Sequence, residues 1–567
     1  MKSRWNEAEA SPLENDPLAL RAYTSRLLGQ EPELVLHGGG NTSVKAEATD
    51  FFGDTVETLY VKGSGWDLAT IKKPGFAPER LDVLKQLATL DTLSDSDMVE
   101  QQRVALLDSK APNASVEAIL HAIIPFRYVD HTHANAVIAL MNTEDGEARI
   151  RDLYGDRVIV IPYVMPGFAL AKLVYQQTLD TDWSRYEGMV LMNHGVFTFS
   201  DSARESYESM IALVTEAENA LDALNARQPA LADGDLEPLE LAALRAEISK
   251  LRGQSLIARL DRRPEAVGYA NLPGAEGFAT KGPLTPDHSI FAKRIPAFLG
   301  PDPIASVQSY AADYRSYFDR NATPGLSCLD PAPRWAVWPG SGIVSFGTNP
   351  KNARVIGDIA YHTSQVVQAG EALGGWKPLD EADIFEVEYW ELEQAKLKSG
   401  KAVPALQGKV ALIALGNAAR RSACIERYLG AGAAVISYGT APEGDSTPAW
   451  VGFDCALEDP VALRLELAKA VESFGGIDIL IADTGFKNAQ LDNVLTTCLP
   501  YLEFGWEPAL VWIGTPIDQP SAQTTIPEIA IDPTSPGYLS ATRNPSQSLD
   551  SEGLAVLALN AATAVRR

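Results

Sequence analysis

Two histidines two residues apart, His131 and His133 in Tyr128-Val-Asp-His-Thr-His-Ala-Asn-Ala136, constrain this chain more than any other stretch. On an extended strand residues i and i+2 point the same way, so both imidazoles face one side of a strand end. That is half of a metal site. His194, in Met192-Asn-His-Gly-Val196, follows another apolar, strand-like run, Met189 to Met192. Three neutral imidazoles with an open position form the ligand set of a catalytic zinc or a similar divalent ion. A fold that uses them must bring two distant strand ends to one edge. Ahead of the pair, Glu117 and His121 are spaced i, i+4, which predicts one face of a helix capped by Asn113 or Ser115. A lone His-x-His is as readily a satisfied core pair as a ligand pair. The surrounding motifs tip the reading towards metal.

Leu34 to His37 reads as a short strand running into three glycines, where backbone amides can approach an anion closely. Asn41, Ser43 and Lys45 follow on alternating positions, and Leu59 to Lys62 is a second strand entering a Gly-Ser-Gly turn. Either turn alone is as well explained by a tight hairpin. In order, the chain presents Gly38-Gly-Gly-Asn-Thr-Ser-Val-Lys45, Lys62-Gly-Ser-Gly65, Ser115-Val-Glu117 with Leu120-His121, His131-Thr-His133 and Asn193-His194-Gly195. With these pieces, residues 20 to 225 resemble the class II aldolase/adducin family. The resemblance implies an α/β/α sandwich around a mostly antiparallel sheet. It implies reversible aldol cleavage of a phosphorylated ketose such as rhamnulose 1-phosphate, giving dihydroxyacetone phosphate and an aldehyde. Zinc, or another divalent metal, would sit on His131, His133 and His194. Glu117 would be the general acid/base, and Asn41, Ser43, Ser64 and Ser115 would hold the phosphate. A homo-oligomer, a tetramer, also follows from the resemblance. Glutamate at 117 argues against the related pentulose-phosphate 4-epimerases, which usually place an aspartate there. The alternatives are a bifunctional aldolase/dehydrogenase, another reaction of the same fold such as decarboxylation or epimerisation, and a non-catalytic adducin-like role, and the full histidine set weighs against the last.

The second half has another rhythm. Apolar runs at Leu406–Leu415, Ala434–Tyr438, Ile477–Ala482 and Ala509–Ile513 alternate with amphipathic segments at Ala419–Leu429, Val461–Phe474 and Ala489–Leu502. Continuous apolar strands between helices predict a parallel, doubly wound, Rossmann-like sheet. This part resembles the short-chain dehydrogenase/reductase family, with its chemistry altered. The first strand–helix turn reads Ala414-Leu-Gly-Asn-Ala-Ala-Arg-Arg-Ser422, keeping Gly416 but placing Arg420 and Ser422 where glycines are expected. Asp454 matches the residue that usually holds the adenine. The usual Asn-Asn-Ala-Gly reads Ala482-Asp-Thr-Gly485, and the Tyr-x-x-x-Lys pair reads Tyr538-Leu-Ser-Ala-Thr542. A tyrosine without the lysine is a poor base near neutral pH. The chain is also expected to stop short of a full dehydrogenase. NAD(P) is therefore not expected, and no residue is assigned to binding it.

The fold class that follows is α/β, with an aldolase-like metal domain at 17–230 and a truncated dehydrogenase-like domain at 404–567. Residues 231–403 are expected as an extension packed on the aldolase domain. Its Thr285-Pro-Asp-His288 segment resembles the middle of bifunctional rhamnulose-phosphate aldolase/short-chain dehydrogenase proteins. A formal charge of −26 repels phosphate backbones, which excludes nucleic acid and anionic membranes as natural partners. Four scattered cysteines, no apolar N-terminal signal and no membrane-length apolar run point to a cytoplasmic protein. Residues 1 to 16 are polar and are expected to be loose.

Overall fold

The computed structural model describes residues 1–392, 403–440, 449–513 and 528–531. The chain forms two compact units. The first comprises Met1–Pro229, Gly274–Ile295 and Tyr361–Ser399, and the second Ala230–Pro273, Pro296–Ala360 and Gly400–Arg567. Among the described residues, no helix is long and apolar enough to cross a membrane.

The first unit is built on seven strands: β1 (Asn41–Thr49), β2 (Thr55–Lys62), β3 (Phe76–Arg80), β4 (Tyr128–Thr132), β5 (Val158–Ile161), β6 (Gly188–Leu191) and β7 (Gly195–Ser200). Their order is β3-β2-β1-β4-β7-β6-β5. All neighbours are antiparallel except β5 and β6, which are parallel. Helices cover both faces. Leu81–Thr89, Ala118–Ile123 and Phe168–Gln177 pack Leu84, Leu120 and Val174 with Val61, Val129 and Phe197 of the sheet. Pro17–Gly29, Asn135–Met141 and Ala203–Ala223 lie on the other face. This is the sandwich expected from the sequence.

Three local expectations change. Residues 34–37 are a turn, not a strand, and β1 begins after the glycines. His37 and Gly40 adopt positive φ (43° and 57°), so the chain cannot run extended there. Glu117 stands at the N-cap of the Ala118–Ile123 helix, not inside it. The first sixteen residues are tied down: Asn6 caps the Glu7–Ala10 helix, and Trp5 packs edge-on against Tyr23 and tilted against Tyr207.

The second unit holds two sheets. One has order β8-β11-β10-β9, from β8 (Ile257–Asp261), β9 (Ala297–Phe298), β10 (Trp335–Trp338) and β11 (Gly342–Gly347). The other is entirely parallel, from β12 (Val410–Ala414), β13 (Ala434–Tyr438), β14 (Trp450–Phe453), β15 (Ile479–Asp483), β16 (Ala509–Ile513) and β17 (Glu528–Ile531). Its order, β14-β13-β12-β15-β16-β17, is that of a doubly wound sheet with its switch point between β12 and β15. The expected single extension at 231–403 is divided: 274–295 and 361–392 belong to the first unit and the rest to the second. The cause is packing. Ala242, Ile257 and Ala353 share a core with Val410, Leu467 and Leu480. Arg245 is buried and pairs bidentately with Asp478 (2.5 and 3.2 Å), while Asp478 also accepts from the Val410 and Trp506 amides. A buried charge pair with its remaining lone pairs satisfied fixes a register that hydrophobic contact alone leaves loose.

One buried acid in the first unit is not so treated. Glu79 on β3 is inaccessible to solvent, and neither carboxyl oxygen has a hydrogen-bond partner among the described residues. Burial holds its pKa well above the usual glutamate range. A carboxyl whose folded pKa is raised contributes stability below its unfolded value, near pH 4.5, and that contribution is lost as pH rises through the folded value. Glu79→Gln should therefore match the parent in thermal stability at about pH 4 and exceed it by about 1–3 kcal/mol at pH 8. Equal pH dependence of the melting temperature in both proteins would refute this.

Candidate metal centre

Sheet register builds the site. Asn41 on β1 pairs with His131 on β4, and Thr132 pairs with Val196 on β7. Cross-strand partners share a face, so Asn41 and His131 project together. β4 ends at Thr132, and His133 follows immediately. The β6–β7 connection is equally tight: Asn193 takes a left-handed φ of 56°, the His194 amide bonds Leu191 O at 3.1 Å, and Gly195 opens β7. Asparagine tolerates that conformation, and it aims His194 at the ends of the two neighbouring strands.

The nitrogens of His131, His133 and His194 lie within 4.8 Å of one another, and all three residues are buried. His131 Nδ1 lies 3.1 Å from the Val196 carbonyl, so Nδ1 carries the proton and Nε2 presents its lone pair inward. His133 Nε2 is 3.1 Å away from it. The His131 ring stacks on Phe197 at 4.1 Å. Burial pulls the pKa of His131 down to about 3 and that of His133 well below its usual value. Three buried, converging imidazoles, with the His131 tautomer fixed by the Val196 carbonyl, fit a divalent cation. Gly195 leaves them room: a Cβ there would stand 2.8 Å from His131 Cε1 and 2.9 Å from His133 Cδ2.

Glu117 is nearly buried and lies 3.6 Å from Nε2 of both His131 and His194, through different oxygens. Asn41 donates its amide to Glu117 Oε2 (2.5 Å) and to Ser115 Oγ (3.1 Å). Ser64 is exposed on the 63–65 turn, and its backbone amide bonds Asn113 O at 2.8 Å. Ser43 does not join this group. It is fully buried, and its hydroxyl meets His121 Nδ1 at 2.8 Å, leaving no surface to offer a substrate.

Three residues at the site carry roles that the motifs did not reveal. Lys62 is buried and donates to the Gly38 and Gly40 carbonyls (2.6 and 2.9 Å), clamping the glycine turn. Phe291, from the Pro286–Ala292 helix, reaches that turn, its Cζ 3.9 Å from a Cβ position on Gly38. His362 Nδ1 lies 2.7 Å from Asn135 Nδ2, two residues past His133. Histidine usage was the available signal: all seven histidines fall in the first unit.

In the second unit, Gly416, Asp454 and Asp483 stand at or just past the carboxyl ends of β12, β14 and β15, where an open α/β sheet places its ligands. A Cβ on Gly416 would lie 3.5 Å from the Phe486 ring and 3.8 Å from Asp483 Oδ2. Arg421 turns back, donating to Leu415 O at 2.7 Å and Gly439 O at 3.4 Å. Arg420 and Ser422 lie on the first turns of the Ala418–Gly430 helix. Tyr538 and Thr542 lie outside the described residues.

Comparison with known proteins finds two matching family profiles. That of the class II aldolase and adducin N-terminal domain matches residues 19–221. That of the class II aldolase second domain matches residues 236–397. The chain is similar to the uncharacterized oxidoreductase YuxG of Bacillus subtilis (strain 168), 30% identical over 526 residues, covering 86% of this chain and 75% of that one. Among solved structures it is similar to the N-terminal class II aldolase domain of a conserved protein from Thermoplasma acidophilum. Identity there is 38%, covering 39% of this chain and 99% of that one, with a TM-score of 0.36. It is also similar to the l-fuculose-1-phosphate aldolase of Thermus thermophilus, with 18% identity, 38% and 99% coverage and a TM-score of 0.25.

Purified protein should contain about one divalent metal per chain. His131→Ala with His133→Ala should abolish it. Gly195→Ala, which adds one methyl between two imidazoles, should weaken metal affinity roughly 10–100-fold. Elemental analysis and competition with a chromogenic chelator read both, and stoichiometric metal in the double variant would remove the site.

Proposed function

The chain belongs to the class II aldolase and adducin family, and from that premise we propose that its first unit catalyses reversible aldol cleavage of a phosphorylated ketose. Rhamnulose 1-phosphate, yielding dihydroxyacetone phosphate and an aldehyde, is the substrate we favour. One observation carries the reading: a buried carboxylate, Glu117, stands 3.6 Å from two of three converging imidazoles. An acid/base group beside a Lewis-acid position suits proton transfer at a carbon next to a carbonyl. Zinc or a similar divalent ion on His131, His133 and His194 would supply that Lewis acid. Glu117 moves the proton at the carbon that becomes the nucleophile. Ser115 and Ser64 take the phosphate, helped by the amides of the glycine turn, while Asn41, whose NH₂ group is committed to Glu117 and Ser115, holds the carboxylate. Ser43 supports the site from behind. The nearby lysines serve the fold: Lys62 holds the glycine turn, and Lys45 Nζ bonds the carbonyls of His121, Ile124 and Phe126. Amine catalysis therefore has no evident candidate in either of them.

For the second unit we propose a scaffold role without hydride transfer. Phe486 lies over the one remaining turn glycine, and the Asp483 carboxylate faces the place a pyrophosphate would take. An anion against a carboxylate is disfavoured. We take the active form to be a cytoplasmic homo-oligomer acting on a small sugar phosphate.

Glu117→Gln should keep its metal and lose roughly 10²–10⁴ in the exchange of a dihydroxyacetone phosphate proton with deuterated water. Undiminished exchange would move the acid/base role elsewhere. Calorimetry with NAD(H) and NADP(H) should give no heat at micromolar concentrations. Saturable binding with aldehyde oxidation would make the chain bifunctional.

A further inference from the structure

Behind Glu117 runs a line of three buried side chains. Ser43 Oγ lies 2.8 Å from His121 Nδ1, His121 Nε2 lies 2.5 Å from Asn41 Oδ1, and Asn41 Nδ2 lies 2.5 Å from Glu117 Oε2. His121 and Ser43 are wholly inaccessible to solvent, and Asn41 is 5% exposed.

Donor and acceptor rules give the line one direction. A carboxylate only accepts, so Asn41 must turn its NH₂ group to Glu117. Its carbonyl oxygen then faces His121 Nε2, which must carry the ring proton. The neutral ring has one N–H, so Nδ1 is an acceptor and the Ser43 hydroxyl donates to it. Reversing any member breaks the next. A flipped Asn41 would set its carbonyl oxygen against the carboxylate. A ring protonated on Nδ1 would set two lone pairs, Nε2 and Asn41 Oδ1, against each other. Buried polar groups facing each other without a proton cost about 1–3 kcal/mol each. The network therefore assigns both the amide orientation and the ring tautomer, and one arrangement dominates.

We propose that His121 is a positioning residue: as the Nε2–H tautomer that the Asn41 carbonyl requires, and with the Ser43 hydroxyl donating to its Nδ1, it orients the Asn41 amide and through it aims the Glu117 carboxylate at the metal centre. This rests on the reading that Glu117 moves the substrate proton. It gives Ser43 a task that its burial allows. It also explains why a histidine, with a donor at one ring nitrogen and an acceptor at the other, stands between a hydroxyl and an amide.

The test joins a spectroscopic and a kinetic arm on the full chain. In [¹⁵N]histidine-labelled protein, the His121 signals are those lost in His121→Phe, which keeps a ring beside Phe197. The wild type should show Nε2 protonated and Nδ1 bare, and Ser43→Ala should keep Nε2 protonated while shifting the Nδ1 signal, which loses its hydrogen-bond donor. Dihydroxyacetone phosphate proton exchange should fall about tenfold in Ser43→Ala and about a hundredfold in His121→Phe, at the low end of general acid/base effects. Bound metal should be unchanged in both. The double variant should be no slower than His121→Phe alone, since both changes cut one line. A wild-type Nδ1–H tautomer, or effects that multiply in the double variant, overturns the proposal. If His121→Phe does not fold, the Nδ1 signal that shifts in Ser43→Ala identifies His121, and its wild-type tautomer is read there. Absence of exchange in the wild type would instead refute the aldolase reading, and the tautomer arm would still judge the hydrogen-bonded line.

Discussion

The buried ion pair between Arg21 and Asp130 sets where everything else in the first unit can go. Both side chains are wholly inaccessible. Asp130 accepts from Arg21 through one oxygen and from Ser206 through the other, while Arg21 also reaches the Ser43 carbonyl. Removing one partner of such a pair leaves a charge without water or counter-charge, at a cost of about 3–5 kcal/mol. Asp130 thus ties the central strand β4 to the Pro17–Gly29 and Ala203–Ala223 helices on one face. Strand alternation then does the rest. With Asp130 and Thr132 committed to that face, His131 must point to the other, towards Phe197 and the Ala118–Ile123 helix. His131 is thus aimed into the imidazole cluster by a residue outside that cluster.

On β1, Asn41, Ser43 and Lys45 alternate onto the same face and run along the Ala118–Ile123 helix. The amide serves its N-terminal end at Ser115 and Glu117, the hydroxyl meets His121 midway, and the ammonium bonds the carbonyls of His121, Ile124 and Phe126 at its C-terminal end. A cation suits exposed C-terminal carbonyls, as a donor amide suits a carboxylate at the N-cap. Burial nevertheless pulls the Lys45 ammonium down to about 7. One strand face thereby holds a short helix whose six residues would not persist alone in water.

This arrangement shows what local sequence can and cannot convey. The period-2 spacing of His131 and His133, and of Asn41, Ser43 and Lys45, identifies residues sharing a face. It cannot say what lies opposite that face. The family resemblance implies Ser43 as a phosphate ligand, although the pleat carries it into the interior against Val129 and His121. His194 is legible because Asn-His-Gly after an apolar run marks a tight turn. Glu117 is legible as a site residue but not as an N-cap, since helix ends are decided by backbone bonds that pattern does not report. The four central strands β12, β13, β15 and β16 are legible to within a few residues because continuous apolar runs leave little choice, whereas the edge strands β14 and β17 lack such a run and are not read from sequence. Residues 231–403 do not form the single block that sequence suggests, because the Arg245–Asp478 pair joins positions distant in sequence and has no local signature.

The second unit separates what holds a doubly wound sheet together from what shapes its switch point. Strand order and the apolar strands of a doubly wound sheet are kept by its cores, which involve Leu412, Ile436, Leu480 and Val511. The switch point itself is held by few constraints: a turn that must let a pyrophosphate reach helix amides, and clear space above it. Here Asn417 caps the helix through the Arg420 amide, Arg421 satisfies the Leu415 carbonyl, and Phe486 lies over Gly416. The turn thus meets one helix amide and one strand carbonyl from its own side chains. A turn that satisfies its own donors and acceptors is a stable end to a β–α unit, so the order of this sheet follows from its cores and its turn alone.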